Sequence, residues 1–299
     1  MRVLSTALAI AGFAGLAACA QKSEEATAAE LAAEVQSPGD ILDAVISGDQ
    51  RTAEERARDQ YRHPKETLLF FGAKPSMTIV EIWPGGGWYS NVIAPFLAKG
   101  GGVFYAAGLD PDKSEINRKA EDAFAAKFKA DPALYGDVRM SVLGGGHAIA
   151  PEGSADMVLT FRNVHNWLSA GTAEENFKTF YKALKPGGVL GVVEHRADED
   201  ASDEAIARTG YVKTSKVKAL AEAAGFEFEA ASEINANPAD TKDHPFGVWT
   251  LPPVRRSSAV SGRTDPDFDR AKYDAIGESD RMTLKFIKPA GAADDAPAQ

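Results

Sequence analysis

The sequence has a single cysteine, Cys19, so no internal disulfide is available to it. It has no dense run of Lys or Arg. Acidic residues outnumber basic ones 43 to 33, for a formal net charge of −10. A surface of that sign repels phosphate backbones and argues against a nucleic-acid partner. Internal repeats are lacking, which excludes solenoids and propellers. Five histidines are present, but no HxH or HxxxH pair, so no compact metal-ligand motif stands out and no metal is expected. The apolar run Val3–Leu16 is too short to span a bilayer comfortably. What remains is ordinary globular material: 299 residues, 44% of them hydrophobic, enough for one large domain with a buried core.

The first residues have a different purpose. Arg2 supplies a positive end, Val3–Leu16 is apolar and small, and the stretch closes on Leu16-Ala17-Ala18-Cys19, the pattern of an export signal. Small residues before a cysteine resemble the bacterial lipobox, which implies cleavage after residue 18 and lipidation of Cys19. Ala20 follows rather than aspartate, which by the same resemblance implies an outer-membrane lipoprotein facing the periplasm. The other reading is a plain secretory signal that happens to contain a cysteine. Residues 19–39, rich in Ala, Glu, Gln and Ser, read as a tether, and 289–299, rich in Pro, Ala, Gly and Asp, as a disordered tail. The folded domain is expected over 40–288, with no protein partner evident.

Within it, β-rich runs alternate with helical ones. Strands are predicted at 77–82, 103–107, 138–143, 156–161, 189–194, 226–231 and 282–287. Helices are predicted at 41–46, 53–71, 88–97, 112–130, 172–184 and 215–224, with Pro95 bending or ending the third. The alternation predicts an α/β fold with a mostly parallel sheet covered by helices on both faces, and the expected form is Rossmann-like and seven-stranded with an antiparallel last strand. Ligands of such sheets bind outside the carboxyl ends of the strands. The informative residues therefore lie just after each strand.

After the first strand comes Glu81-Ile82-Trp83-Pro84-Gly85-Gly86-Gly87-Trp88-Tyr89. Glycines here let backbone approach a ligand and leave N–H groups free at a helix start. Alternatively, they serve only a tight turn. Of the histidines, His147, His165 and His195 each fall just beyond a strand and are expected around one crevice, where His165 or His195 can act as a general base near neutral pH. The bland alternative is that each bonds local backbone. Glu81 or Glu194 with these histidines also makes a conceivable metal set, which would suit a hydrolase or lyase. Trp88 and Trp167 form either an aromatic wall or core. The charges of Arg255-Arg256 and Gly277–Arg281 either stabilise a C-terminal hairpin, the favoured reading, or cover the pocket, and His63 and His244, each before a proline, read as loop or helix-start residues.

The wider pattern resembles the class I S-adenosylmethionine-dependent methyltransferases. Thr78-Ile79-Val80-Glu81 matches the strand and acid of their first motif, and Gly85 and Gly87 match two of its glycines, with Trp83 where the first usually stands. Ala155–Leu159 looks like their fourth-strand motif, Leu184–Leu190 like the turn into the fifth, and Glu222–Phe226 like the last helix-to-strand junction. More closely, Trp83–Tyr89, Arg162–Trp167 and Gly277–Arg281 resemble a group of predicted exported methyltransferases. The resemblance covers about residues 60–288. It implies S-adenosylmethionine as cofactor, held by Glu81, Trp83, Gly85, Gly86, Gly87 and Asn163, and methyl transfer to a small-molecule acceptor. The acid that the superfamily puts at the end of the second strand is missing at Gly108. Asp110, about two residues on, either reaches the ribose or caps the next helix. The competing function is a binding lipoprotein on the same scaffold with another ligand, because the cofactor is made in the cytoplasm and the protein is expected outside it.

Overall fold

The structure is a computed structural model that describes residues 36–260 and 262–291. The signal segment, Cys19, the tether up to residue 35 and the tail beyond 291 lie outside the described residues. Helix α1 (Pro38–Ile46) begins inside the segment expected as tether. Ser37 accepts the Asp40 N–H while the Asp40 carboxylate accepts the Ser37 N–H, a reciprocal cap that starts a helix.

The one helix expected over 53–71 is three: α2 (Ala53–Arg56), α3 (Asp59–Arg62) and α4 (Pro64–Phe71). The cause is Pro64. Its ring disfavours helical backbone at the residue before it, and His63 takes the left-handed conformation instead, at φ 41°. Pro95, by contrast, does not end α5 (Ser90–Ala98). A proline at 95 leaves the carbonyl of Asn91 without its helical partner, and Gln50 Nε2 donates to that oxygen at 3.2 Å.

Seven strands form one sheet: β1 (Thr78–Ile82), β2 (Val103–Gly108), β3 (Asp137–Val142), β4 (Ala155–Phe161), β5 (Leu184–His195), β6 (Glu227–Ser232) and β7 (Arg281–Ile287), in the order β3-β2-β1-β4-β5-β7-β6. The strands β1 to β5 are parallel, joined by helical crossovers except between β3 and β4, where residues 143–154 form a loop, and β7 runs antiparallel to both neighbours, as expected of the last strand. Side chains alternate between two buried faces. Val80, Ile82, Tyr105, Val158, Leu190 and Val192 meet α8 (Val164–Ala170), α9 (Ala173–Ala183) and the later helix Thr214–Ala223 on one side. Ile79, Phe104, Ala106, Met157, Leu159 and Val193 meet α1, α4 and α5 on the other. Burial on both faces explains why these strands read as near-continuous apolar runs. No helix among the described residues is long and apolar enough to cross a membrane.

Two consequences position the site. The neighbours β1 and β4 hand the chain to different helices, α5 and α8, which opens a crevice at their carboxyl ends. Because β7 is antiparallel, it starts where β5 finishes, with His195 opposite Arg281. The segment before β7 is thereby delivered to the same crevice.

Candidate functional site

A cavity of about 460 Å³ occupies this crevice. Its walls come from α3, the loop after β1, the loop after β4, the end of β5, residues 248–254 and the start of β7. Of the residues singled out in the sequence, Glu81, Trp83, Gly85, Gly86, Asn163, His165 and His195 all line it. Gly87 and Asp110 do not. A Cβ at Gly87 would meet Phe128 at 2.8 Å, so this glycine lets the loop pack onto the helix after β2, Glu115–Lys129 (α6). Asp110 accepts the Asp112 N–H in a local turn, and Ser114, not Asp110, caps α6. His147 lies exposed in the loop after β3, away from the other two histidines.

Nothing lies within 4 Å of a Cβ built on Gly85 or Gly86, so both present bare backbone to open space, as a ligand cradle requires. Trp83 adopts a positive φ of 46°, the backbone that makes glycine the easy choice there. Its ring meets Trp167 edge-on at 5.7 Å. Trp167 itself is fully buried against Phe180 and is core, whereas Trp88 lines the cavity, with Arg51 and Arg62 each within 5 Å of its ring. Asn163 Nδ2 donates to the Ile82 carbonyl at 2.9 Å and so ties the loop after β4 to the end of β1.

Glu81 is buried with Ser90 Oγ donating to it at 2.6 Å. Burial pushes its carboxyl up to about 7, against that hydrogen bond. At the end of β2, a Cβ on Gly108 would collide with the carboxylate of Glu121, which reaches over from α6 and accepts the Leu109 N–H at 2.8 Å. Glu121 thus sets an acid in the volume that a side chain at 108 would fill. Sequence spacing gives no sign of it, because the replacement comes from the next element.

His165 and His195 stand with ring centroids 5.3 Å apart. Glu194 is completely buried between them. It accepts the backbone N–H groups of Val164, at 2.6 Å, and His195, at 2.8 Å, and so holds the start of α8. Its Oε1 is also 3.0 Å from His165 Nδ1. A carboxylate there selects the tautomer with the proton on Nδ1 and leaves the Nε2 lone pair free. His195 Nδ1 lies 2.5 Å from Ser279 Oγ. Burial first, then the charges of His165, Arg162, Arg281 and Arg62, drive the His195 pKa well below its ordinary value, so this ring is neutral at physiological pH.

His165, Glu194 and His195 each bring a potential ligand atom within 4.8 Å of the others. The set has the right donors for a divalent ion. Its surroundings oppose one, since the guanidiniums of Arg162, Arg281 and Arg62, near enough to act on His195, would repel a divalent cation.

Those guanidiniums are the least expected feature. Arg58, Arg62 and Arg281 all pair with the buried Glu278, at 2.7, 3.0 and 3.1 Å. Burial pushes the Glu278 carboxyl up, and Arg62, Arg281, Arg58 and Arg162 together outweigh it and hold it at about 2. Glu278 and Ser279 form a cavity wall, so the string expected chiefly to stabilise a C-terminal hairpin also meets the other reading, that it covers the pocket. The antiparallel course of β7 puts them there.

No protein-family model matches the chain, and no curated protein sequence matches it. Among solved structures, the [4+2]-cyclase SpnF matches with a TM-score of 0.53 at 17% identity, over 82% of this chain and 86% of its own. A putative sarcosine dimethylglycine methyltransferase from Galdieria sulphuraria matches at 0.50 and 13%, over 81% and 89%. The chain has the class I methyltransferase fold. That one of these neighbours is a cyclase shows that the fold alone does not fix the reaction. Function has to be argued from the residues of the crevice.

Proposed function

We propose that the protein is an S-adenosylmethionine-dependent methyltransferase acting on a small molecule with an ionisable hydroxyl, amine or thiol. The observation that carries the reading is the bare backbone of Gly85 and Gly86 facing the same cavity as a histidine whose Nδ1 is held by a buried carboxylate. The residues fit the cofactor. Gly85, Gly86, Glu81 and Asn163 would hold its amino-acid end, with Trp83 closing the pocket beside them, and Glu121 would take the ribose in place of the acid missing at Gly108. Asp110, turned into its own loop, is the less suitable acid for that task.

When bound, the cofactor supplies a methyl group on a sulfonium, whose departure leaves a neutral thioether. The chain supplies position and a base. His165 Nε2 takes the proton that the acceptor loses as its nucleophilic atom forms the new bond to carbon. Glu194 keeps the other ring nitrogen protonated and stabilises the imidazolium that results. His195, neutral and tied to Ser279, orients the acceptor rather than competing for its proton. Buried aromatic side chains Trp88, Tyr89 and Phe161 line the same cavity and limit water around the reacting centre.

Calorimetry with S-adenosylhomocysteine on the purified chain tests this. Micromolar binding is expected, weakened roughly tenfold in Glu121→Gln, a loss in keeping with one charge-assisted hydrogen bond. Absence of binding to the wild-type protein would remove the methyltransferase reading. The reading extends to location: the domain hangs from a lipidated Cys19 at the outer membrane, facing the periplasm.

A further inference from the structure

We infer that Arg162, with Arg58 and Arg62 beside it, is the seat of an anionic group on the acceptor, a carboxylate or phosphate. The inference rests on the reading of this cavity as the place where an acceptor meets His165. Arg162 is the first residue after β4 and lines the cavity. Its φ is +63°, a left-handed backbone that a side chain of this size rarely adopts. Strain of that kind persists where the surrounding structure enforces it, and it concentrates at functional sites.

The Arg162 guanidinium has no hydrogen bond or ion pair among the described residues. Desolvation brings its pKa down to about 10 against the pull of Glu278, with Arg281 and Arg58 adding to the fall and Glu194 opposing it. Arg58 and Arg62 each keep one buried terminal nitrogen, Nη2, without a hydrogen-bond partner. Arg162 itself is half-buried and faces the cavity without a partner, and the two buried nitrogens beside it are costly to leave unpaired unless an anion completes them.

The local charges cannot complete this set. Three guanidiniums, of Arg58, Arg62 and Arg281, converge on the single carboxylate of Glu278, and Arg162 stands near them with no carboxylate of its own. Glu194 is committed to backbone N–H groups and His165, and Glu81 is substantially protonated near neutral pH. An acidic protein of net charge −10 has therefore built a positive pocket at its crevice. Guanidinium groups match carboxylate and phosphate through paired N–H donors, and Lys could not replace that geometry. With Trp88, Tyr89, Phe161 and Trp249 around the same space, the occupant has an apolar or aromatic body and an anionic end.

The test is thermal unfolding of the full chain with benzoate, inorganic phosphate or chloride at equal ionic strength, together with S-adenosylhomocysteine calorimetry. Benzoate or phosphate should raise the melting temperature saturably beyond chloride. Arg162→Gln should abolish that rise, Arg162→Lys should retain part of it, and S-adenosylhomocysteine affinity should stay within about threefold in both. No rise beyond chloride in the wild type overturns the inference, as does a rise undiminished in Arg162→Gln. If Arg162→Gln instead weakens S-adenosylhomocysteine tenfold or more and that loss disappears with the decarboxylated cofactor analogue, the seat belongs to the cofactor's own carboxylate and the acceptor assignment falls. Failure of S-adenosylhomocysteine to bind at all, with the benzoate or phosphate effect intact, would sink the methyltransferase reading while leaving the anion seat standing.

Discussion

Two buried glutamates in the crevice respond to pH in opposite directions. Glu81 keeps its proton to about pH 7 in the folded protein because burial penalises its charge, whereas in the unfolded chain it titrates near the ordinary carboxylate value. Between those values the folded state binds more protons than the unfolded one, so stability falls as pH rises through the window and is level above it. The full effect is at most about 3 kcal/mol. Urea unfolding at pH 5 and pH 8 should show this loss in the wild type and a flatter profile in Glu81→Gln, which preserves an acceptor for Ser90. An identical slope in both proteins would mean that Glu81 is not the titrating group. Glu278 carries the reverse sign, since its folded pKa of about 2 makes its stabilising contribution complete above the ordinary carboxylate range and lost only as pH falls towards 2. The glutamate at 81 was visible in the sequence as a strand-end acid before glycines. Its protonation was not, because that depends on Ser90 of α5 and on burial, and neither follows from the local string.

At the level of elements, Glu278 joins parts of the chain more than 200 positions apart. It is bonded by Arg58, just before α3, and by Arg62 within it, while its neighbour Arg281 opens β7 and donates from Nη2 to the Tyr61 carbonyl. Glu278→Gln leaves the guanidiniums converging without a countercharge, and removing one partner of a buried pair costs about 3–5 kcal/mol. A fall of that size in the urea unfolding free energy at pH 7 is expected, and a loss below about 1 kcal/mol would mean that the cluster is well solvated. The strands and their alternation were legible because a period of two with both faces apolar has few other solutions. The break at His63 follows from Pro64, whose ring disfavours helical backbone at the residue before it, but the apolar pattern over 53–71 conceals it. The Glu121 substitution for a strand-end acid was also hidden. A helix residue and a strand residue 13 positions apart meet only after the crossover has packed.

For the whole molecule, the net charge of −10 describes the outside and says the opposite of the crevice. An acidic exterior with a cationic, aromatic pocket favours small organic anions that enter the crevice over extended polyanions that must lie across the surface. The expected membrane anchor fits a protein that meets such molecules after export. Radiolabelled palmitate fed to bacteria expressing the chain should label the wild type and not Cys19→Ser. Failure to label the wild type removes the lipoprotein reading and leaves the domain's chemistry untouched.

The sequence by itself determined the class of fold, the glycine loop after β1 and the place of His165 beyond β4, because periodicity and strand-end position are local properties. It also displayed Gly277–Arg281 as a distinctive string without revealing its task. Only the tertiary structure decided that Glu278 and Ser279 of this string line the cavity, because an antiparallel last strand must begin at the end where its parallel neighbours stop. Only packing decided which histidine is held by a carboxylate, which is kept neutral, and that three arginines share one glutamate. Those outcomes depend on distances between residues far apart in the chain, and burial then converts the distances into charge.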